Sequence, residues 1–155
     1  MEFKDCPDVR LAAPEDYPEI MRLMLSAHGE IGKYPISMQK LTNLVAAHYN
    51  KSGAIVAVIG DRGKGLRGVL LLLVSQPWYS EDFTLQEMLL FVDPDHRRST
   101  YAKQLMVFAK KAAETLNLEL SIGINTNVET DAKVRLYRRQ FRPEGAFFSH
   151  NAPHG

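Results

Sequence analysis

The segment from Thr84 to Leu116 constrains the fold most. An apolar-rich run, Thr84 to Val92, is closed by Asp93-Pro94, and a helical stripe follows almost at once. Ala102, Leu105, Met106, Ala109, Ala112, Ala113 and Leu116 recur at the helical period, with Lys103, Lys110, Lys111 and Glu114 on the other side. The spacing predicts a helix from about Thr100 to Asn117. Leu118 to Ile124 then reads as another strand. A strand, a long helix and a second strand form a crossover unit, which demands a partly parallel sheet with a helix packed on its face.

Around this unit the chain supplies further elements. Val9 to Leu11 is a short strand candidate. Pro14 opens a helix, with Glu15, Asp16 and Glu19 near its positive end and Tyr17, Ile20, Met24 and Ala27 on one face. Ser37 is positioned to cap a second helix, where Leu41, Leu44, Val45 and His48 share a face. Ala54 to Ile59 and Val69 to Val74 are apolar strands, joined across glycine-rich turn chemistry into an antiparallel pair. Thr130 to about Arg139 reads as a short basic helix. Phe141 and Ala146 to Phe148 read as closing strand pieces, and residues 151–155 as a frayed tail. The expectation is one α/β (α+β) domain over residues 1–155, a mixed central sheet flanked by helices.

Composition narrows the function. In 155 residues, 19 Lys and Arg face 18 Asp and Glu, for a net charge of +1. No global field draws in nucleic acid or a membrane. The single cysteine, Cys6, rules out an internal disulfide framework and a multi-cysteine zinc site, and the five histidines show no paired metal-ligand spacing. Met1 to Asp5 has no apolar signal region, and Val69 to Val74 is far too short to cross a bilayer. The default expectation is a reduced, soluble, cytoplasmic protein without a metal.

The turn between the third long strand and the long helix carries chemistry. It reads Phe91-Val92-Asp93-Pro94-Asp95-His96-Arg97-Arg98-Ser99-Thr100-Tyr101-Ala102. The unpaired N–H groups of a first helical turn, the positive end of the helix dipole and two arginines make an anion site suited to a pyrophosphate. On spacing alone, Arg97 and Arg98 serve equally well as solvated turn residues. Arg62-Gly63-Lys64-Gly65-Leu66-Arg67 looks superficially closer to a glycine-rich phosphate loop, but strand follows it rather than helix, so it reads as a hairpin turn.

These residues resemble the GNAT superfamily of N-acetyltransferases. Its motif, Arg/Gln-x-x-Gly-x-Gly/Ala preceded by Val-x-Pro, is matched by Val92-x-Pro94 and Arg97-x-x-Thr100-x-Ala102. The element order from Val9 to Phe148 is similar too, and the wording of the turn is similar to that of small phage-encoded members. Thr100 departs from the family's glycine; it keeps a backbone N–H, but its side chain limits how closely a phosphate approaches. The resemblance implies acetyl-coenzyme A as cosubstrate, a primary amine of a small molecule or protein as acceptor, and often a homodimer. It implies that Arg97, Arg98, Ser99, Thr100, Tyr101 and Ala102 hold the pyrophosphate. Strands four and five splay in this family, so Leu90, Phe91 and Val92 would offer backbone groups to the pantetheine arm.

Two further residues gain roles from the resemblance. Leu136-Tyr137 matches the end of a family motif whose tyrosine protonates the leaving thiolate. Thr130 and Lys133 share the face of Tyr137, and Asn125 or Asn127 stands in for the motif's missing asparagine. Tyr137 equally suits a half-buried packing role. Glu87 is a carboxylate inside an apolar strand. It is either a base that deprotonates the amine or a solvent-edge or arginine-paired residue. His28, Glu30 and Tyr34 fall in the loop region that lines the acceptor pocket of the family. Arg135, Arg138, Arg139 and Arg142 read as a solvated basic face, with one of them in reach of the cosubstrate's phosphates as the alternative. Rival readings are a non-catalytic coenzyme A sensor on the same fold and an RNA-binding domain using that basic face.

Overall fold

The computed structural model describes residues 4–124 and 130–150. Strands β1 (Val9–Leu11), β2 (Ala54–Asp61), β3 (Lys64–Ser75), β4 (Thr84–Val92) and β5 (Glu119–Ser121) form one sheet in the order β1-β2-β3-β4-β5. The first three pairings are antiparallel and β4–β5 is parallel. Helices α1 (Tyr17–Ile31) and α2 (Met38–Tyr49) cover one face. Helix α3 (Tyr101–Leu116) covers the other, and α4 (Thr130–Gln140) follows β5.

Local chemistry sets the boundaries. Ser37 caps α2 by accepting the Lys40 N–H at 3.3 Å. Asn117 ends α3 in the left-handed conformation, at φ 55°. Arg62-Gly63 turns β2 into β3, with Gly63 at φ 65°, so the glycine-rich stretch is a hairpin turn. Helix α3 buries a wider face than its stripe predicts, because Phe108 and Gln104 are buried with Leu105, Met106, Ala109, Ala112 and Ala113.

One charge cluster locks the hairpin to α1. The Asp16 side chain is fully buried and pairs with Arg10 at 2.6 and 3.0 Å. It also accepts the N–H groups of Ala13 at 2.7 Å and Gly63 at 3.0 Å. Burial alone would raise this carboxyl; the Arg10 guanidinium and the two N–H donors outweigh it and hold the pKa at about 2.

The expected closing strand is not found. No strand occurs among the described residues after Gln140, and Phe147 and Phe148 stand exposed. Strand β5 pairs with β4 over Glu119–Ser121 only, shorter than the expected run to Ile124, and so presents little edge for another strand.

Candidate active site

The site grows from a fault in β4. Leu89 pairs with Leu71, but Glu87 pairs with Leu72, so Met88 is an extra residue, a β-bulge. The bulge reverses the alternation of the strand. Leu85, before it, and Leu90 and Val92, after it, therefore face α3 together, while Leu89 and Phe91 face α1 and α2. Glu87 is opposite the fully buried Leu72, on the α3 side.

Beyond the bulge the sheet opens. Strand β5 pairs only with Thr84, Leu85 and Gln86. From Glu87 to Val92, β4 is paired with β3 alone among the described residues, which leaves its other edge free. Leu90, Phe91 and Val92 lie in this stretch of β4.

Glu87 on β4 and Tyr137 on α4 lie near enough for the Glu87 charge to act on the Tyr137 hydroxyl. Burial pushes the Glu87 carboxyl up to about 7, against a smaller opposing pull from the Gly123 N–H. Burial, with the neighbouring Glu87 charge, raises the Tyr137 hydroxyl above its ordinary value. Tyr137 is half-buried on α4 and packs edge-on against Phe141, with ring centroids 6.3 Å apart. The two groups hold protons over different pH ranges: Glu87 exchanges one near neutrality, and Tyr137 keeps one.

At the far end of β4 the chain turns through Pro94–His96 and enters α3. The first bond of the helix runs from the Gln104 N–H to the Thr100 carbonyl at 2.9 Å, so Ala102 and Lys103 have no intrahelical acceptor. The Tyr101 N–H meets the Ser99 hydroxyl at 3.3 Å. Arg98 is exposed at the mouth of the turn.

Arg97 is differently employed. It donates to the Val92 carbonyl at 3.1 Å, pairs with Glu30 on α1 at 2.6 Å and lies 5.3 Å from the Phe91 ring centre. Arg22 of α1 likewise reaches Asp93 at 3.4 Å. Both arginines brace the turn against α1. Sequence reasoning missed this role, since Glu30 is 67 residues from Arg97. It also missed Arg67, dismissed with the hairpin turn, whose guanidinium meets the Tyr101 hydroxyl at 2.9 Å and adds a cation at the first turn of α3.

Other expected contacts are placed less fully. Lys133 is half-buried on α4. Asn125 and Asn127 lie outside the described residues. His28 meets the Tyr34 carbonyl at 2.7 Å, and the Tyr34 ring is exposed. Arg135, Arg138, Arg139 and Arg142 are exposed. A recess of about 580 Å³ between Tyr79, Phe83 and Glu119 sits at the start of β4 and β5, at the opposite end of β4 from the turn. No group of three or more metal-ligating side chains occurs among the described residues, and no described helix is long and apolar enough to cross a membrane.

Comparison with known proteins finds the same overall fold. An aminoglycoside acetyltransferase from an uncultured soil metagenomic sample, solved with trehalose, superposes with a TM-score of 0.66 at 20% identity, covering 92% of this chain and 94% of that one. A Trypanosoma brucei acetyltransferase gives 0.66 at 16% identity, over 92% and 97%. A possible acetyltransferase from Clostridium difficile gives 0.69 at 13% identity, over 94% and 97%. No curated protein sequence matches the chain. At these identities the superpositions establish the fold. The sequence model of the acetyltransferase (GNAT) family matches residues 17–141, most of the chain, and places this protein in the GNAT family of acetyltransferases, which are acyltransferase enzymes.

Proposed function

We propose that the protein moves an acetyl group from acetyl-coenzyme A to a primary amine by direct attack, with both substrates bound side by side. The observation that carries this reading is Glu87 on the free edge of β4, with its charge acting on Tyr137. Burial raises both groups, which leaves Glu87 able to take a proton near neutrality while Tyr137 still holds one.

The chain suits the cosubstrate. Backbone groups of Leu90, Phe91 and Val92 would pair with the amides of the pantetheine arm, much as an added strand does. The N–H groups of the Arg98–Ala102 turn, with the Arg98 and Arg67 guanidinium groups, would hold the pyrophosphate. Arg97 acts through position, keeping the turn against α1, and Lys133 offers a further cation from α4. When bound, acetyl-coenzyme A supplies an activated thioester.

The residues then divide the proton traffic. An alkyl ammonium, with a pKa near 10.4, attacks only after losing a proton. Glu87, poised at about 7, accepts that proton directly or through a water. An N–H on the open edge near Phe91 or Val92 donates to the carbonyl oxygen as charge gathers there. Tyr137, kept protonated by burial, gives its proton to the departing sulfur.

Tyr137→Phe tests the acid. The ring and its packing on Phe141 remain, while the proton is lost. Turnover is expected to fall about 10²-fold, with the dissociation constant for acetyl-coenzyme A unchanged by calorimetry. Unchanged turnover would remove Tyr137 from the chemistry.

A further inference from the structure

We infer that the outer face of α4, with the exposed phenylalanines that follow it, is a docking surface for an unpaired RNA strand, independent of the transfer chemistry.

The charge of the chain is unevenly placed. Its net charge is +1, yet residues 130–150 hold five Lys and Arg against two Asp and Glu, so the remainder is net acidic. A balanced total conceals a local basic surface. Arg135, Arg138 and Arg139 are spaced i, i+3 and i+4, so they share one face of α4, and all three are exposed. Val134, Tyr137 and Phe141 lie half-buried on the other side. Arg10, Arg22 and Arg97 each pair with a carboxylate. The side chains of Arg135, Arg138 and Arg139 make no ion pair or hydrogen bond among the described residues. Lys110 of α3 meets Gln140 Oε1 at 3.4 Å and lies 5.0 Å from the Phe141 ring centre, so the polar side of α3 adjoins the end of this face.

The residue types select the partner. A guanidinium is a planar fork that meets a phosphate through two hydrogen bonds. Arg135 and Arg139 are separated by about 6 Å along the helix axis, so the row offers successive cations to a line of phosphates. Arg142 prolongs it past the end of α4; its pairing with Glu144 at 2.8 Å is on the surface and readily exchanged. Phe147 and Phe148 follow within a few residues and stand 76% and 88% exposed. Adjacent aromatic rings left in water beside a basic row are stacking faces for bases. An acidic peptide would satisfy the arginines and leave the rings unused, and a duplex hides its base faces. RNA presents unpaired, splayed bases in its loops and ends.

Fluorescence anisotropy of a labelled, uridine-rich RNA of about 12 nucleotides with the full chain tests this. Saturable binding that weakens with salt is expected. Arg138→Gln combined with Arg139→Gln should flatten the slope of log affinity against log salt by about 1.4, the value of two phosphates on a single strand. Phe147→Ala combined with Phe148→Ala should weaken binding by about 10-fold or more and leave that slope unchanged. The same RNA annealed into a duplex should bind more weakly. These side chains are exposed, and melting curves check that both variants fold. No saturable binding at about 50 mM salt, or binding that neither double variant alters, would overturn the inference. Equally tight binding of polyglutamate would overturn it in favour of an acidic partner. Loss of RNA binding on saturation with acetyl-coenzyme A would overturn it too, and would assign the arginines to the cosubstrate's phosphates.

Discussion

Glu87→Gln is expected to lower turnover at pH 7 by about 10²- to 10³-fold, the scale of a lost general base. The loss should shrink as pH rises, because an amine with a pKa near 10.4 increasingly deprotonates itself. Wild-type activity should rise through the Glu87 value of about 7 and level off, while the variant should keep climbing. The same substitution makes a separate prediction about stability. A carboxyl whose folded pKa is raised binds more protons folded than unfolded, so wild-type stability falls as pH rises from the unfolded value near 4.3 through about 7. Glutamine does not ionise, so the variant should melt higher than wild type at pH 8. A pH–rate profile beside melting curves checks both. A uniform loss of rate at every pH would make Glu87 a binding residue rather than a base.

Asp16→Ala is expected to cost about 3 to 5 kcal/mol of folding stability, the range for breaking a buried pair. It leaves the Arg10 guanidinium with only carbonyl partners, chiefly Gly60, and strands the Ala13 and Gly63 N–H groups. For a chain of this size the melting temperature should drop by roughly 10 °C. The pH dependence has the opposite sign to that of Glu87. A folded pKa of about 2 lies below the unfolded value, so the Asp16 contribution is complete above that unfolded value and is lost as pH falls through the folded one. That contribution is about 2 to 3 kcal/mol, lost between about pH 5 and pH 1. Urea unfolding at pH 7 and pH 3 should show the difference between wild type and Asp16→Ala narrowing at the lower pH. A gap that does not narrow would mean the carboxylate charge is not what holds the hairpin to α1.

The sequence exposed what local periodicity encodes. The stripe from Ala102, the Ser37 cap and the hairpin at Gly63 each depend on neighbours within a few residues, and each appears where expected, except that Leu116, at the end of the stripe, stands exposed. Glu87 and Tyr137 were legible as candidates, because a carboxylate in an apolar strand and a tyrosine on a basic helix are out of place locally. Their nearness was not legible, since it depends on how α4 returns to the sheet. The Met88 bulge left only a faint trace, a run from Met88 to Val92 that does not alternate. Arg97–Glu30 and Gln104–Asp8 join residues 67 and 96 positions apart, and no period carries such information. The expected closing strand failed for a related reason: Phe147 and Phe148 have strand character, but a strand needs an edge to pair with, and β5 offers little.

Acetyl transfer itself is tested most directly by measuring free thiol released from acetyl-coenzyme A across a panel of primary amines, with each product identified by mass. The expected result is release that depends on the amine, an amine product heavier by one acetyl group, and loss of both in Glu87→Gln at pH 7. Acetyl-coenzyme A that raises the melting temperature, yet releases no thiol with any amine in the panel, would contradict it.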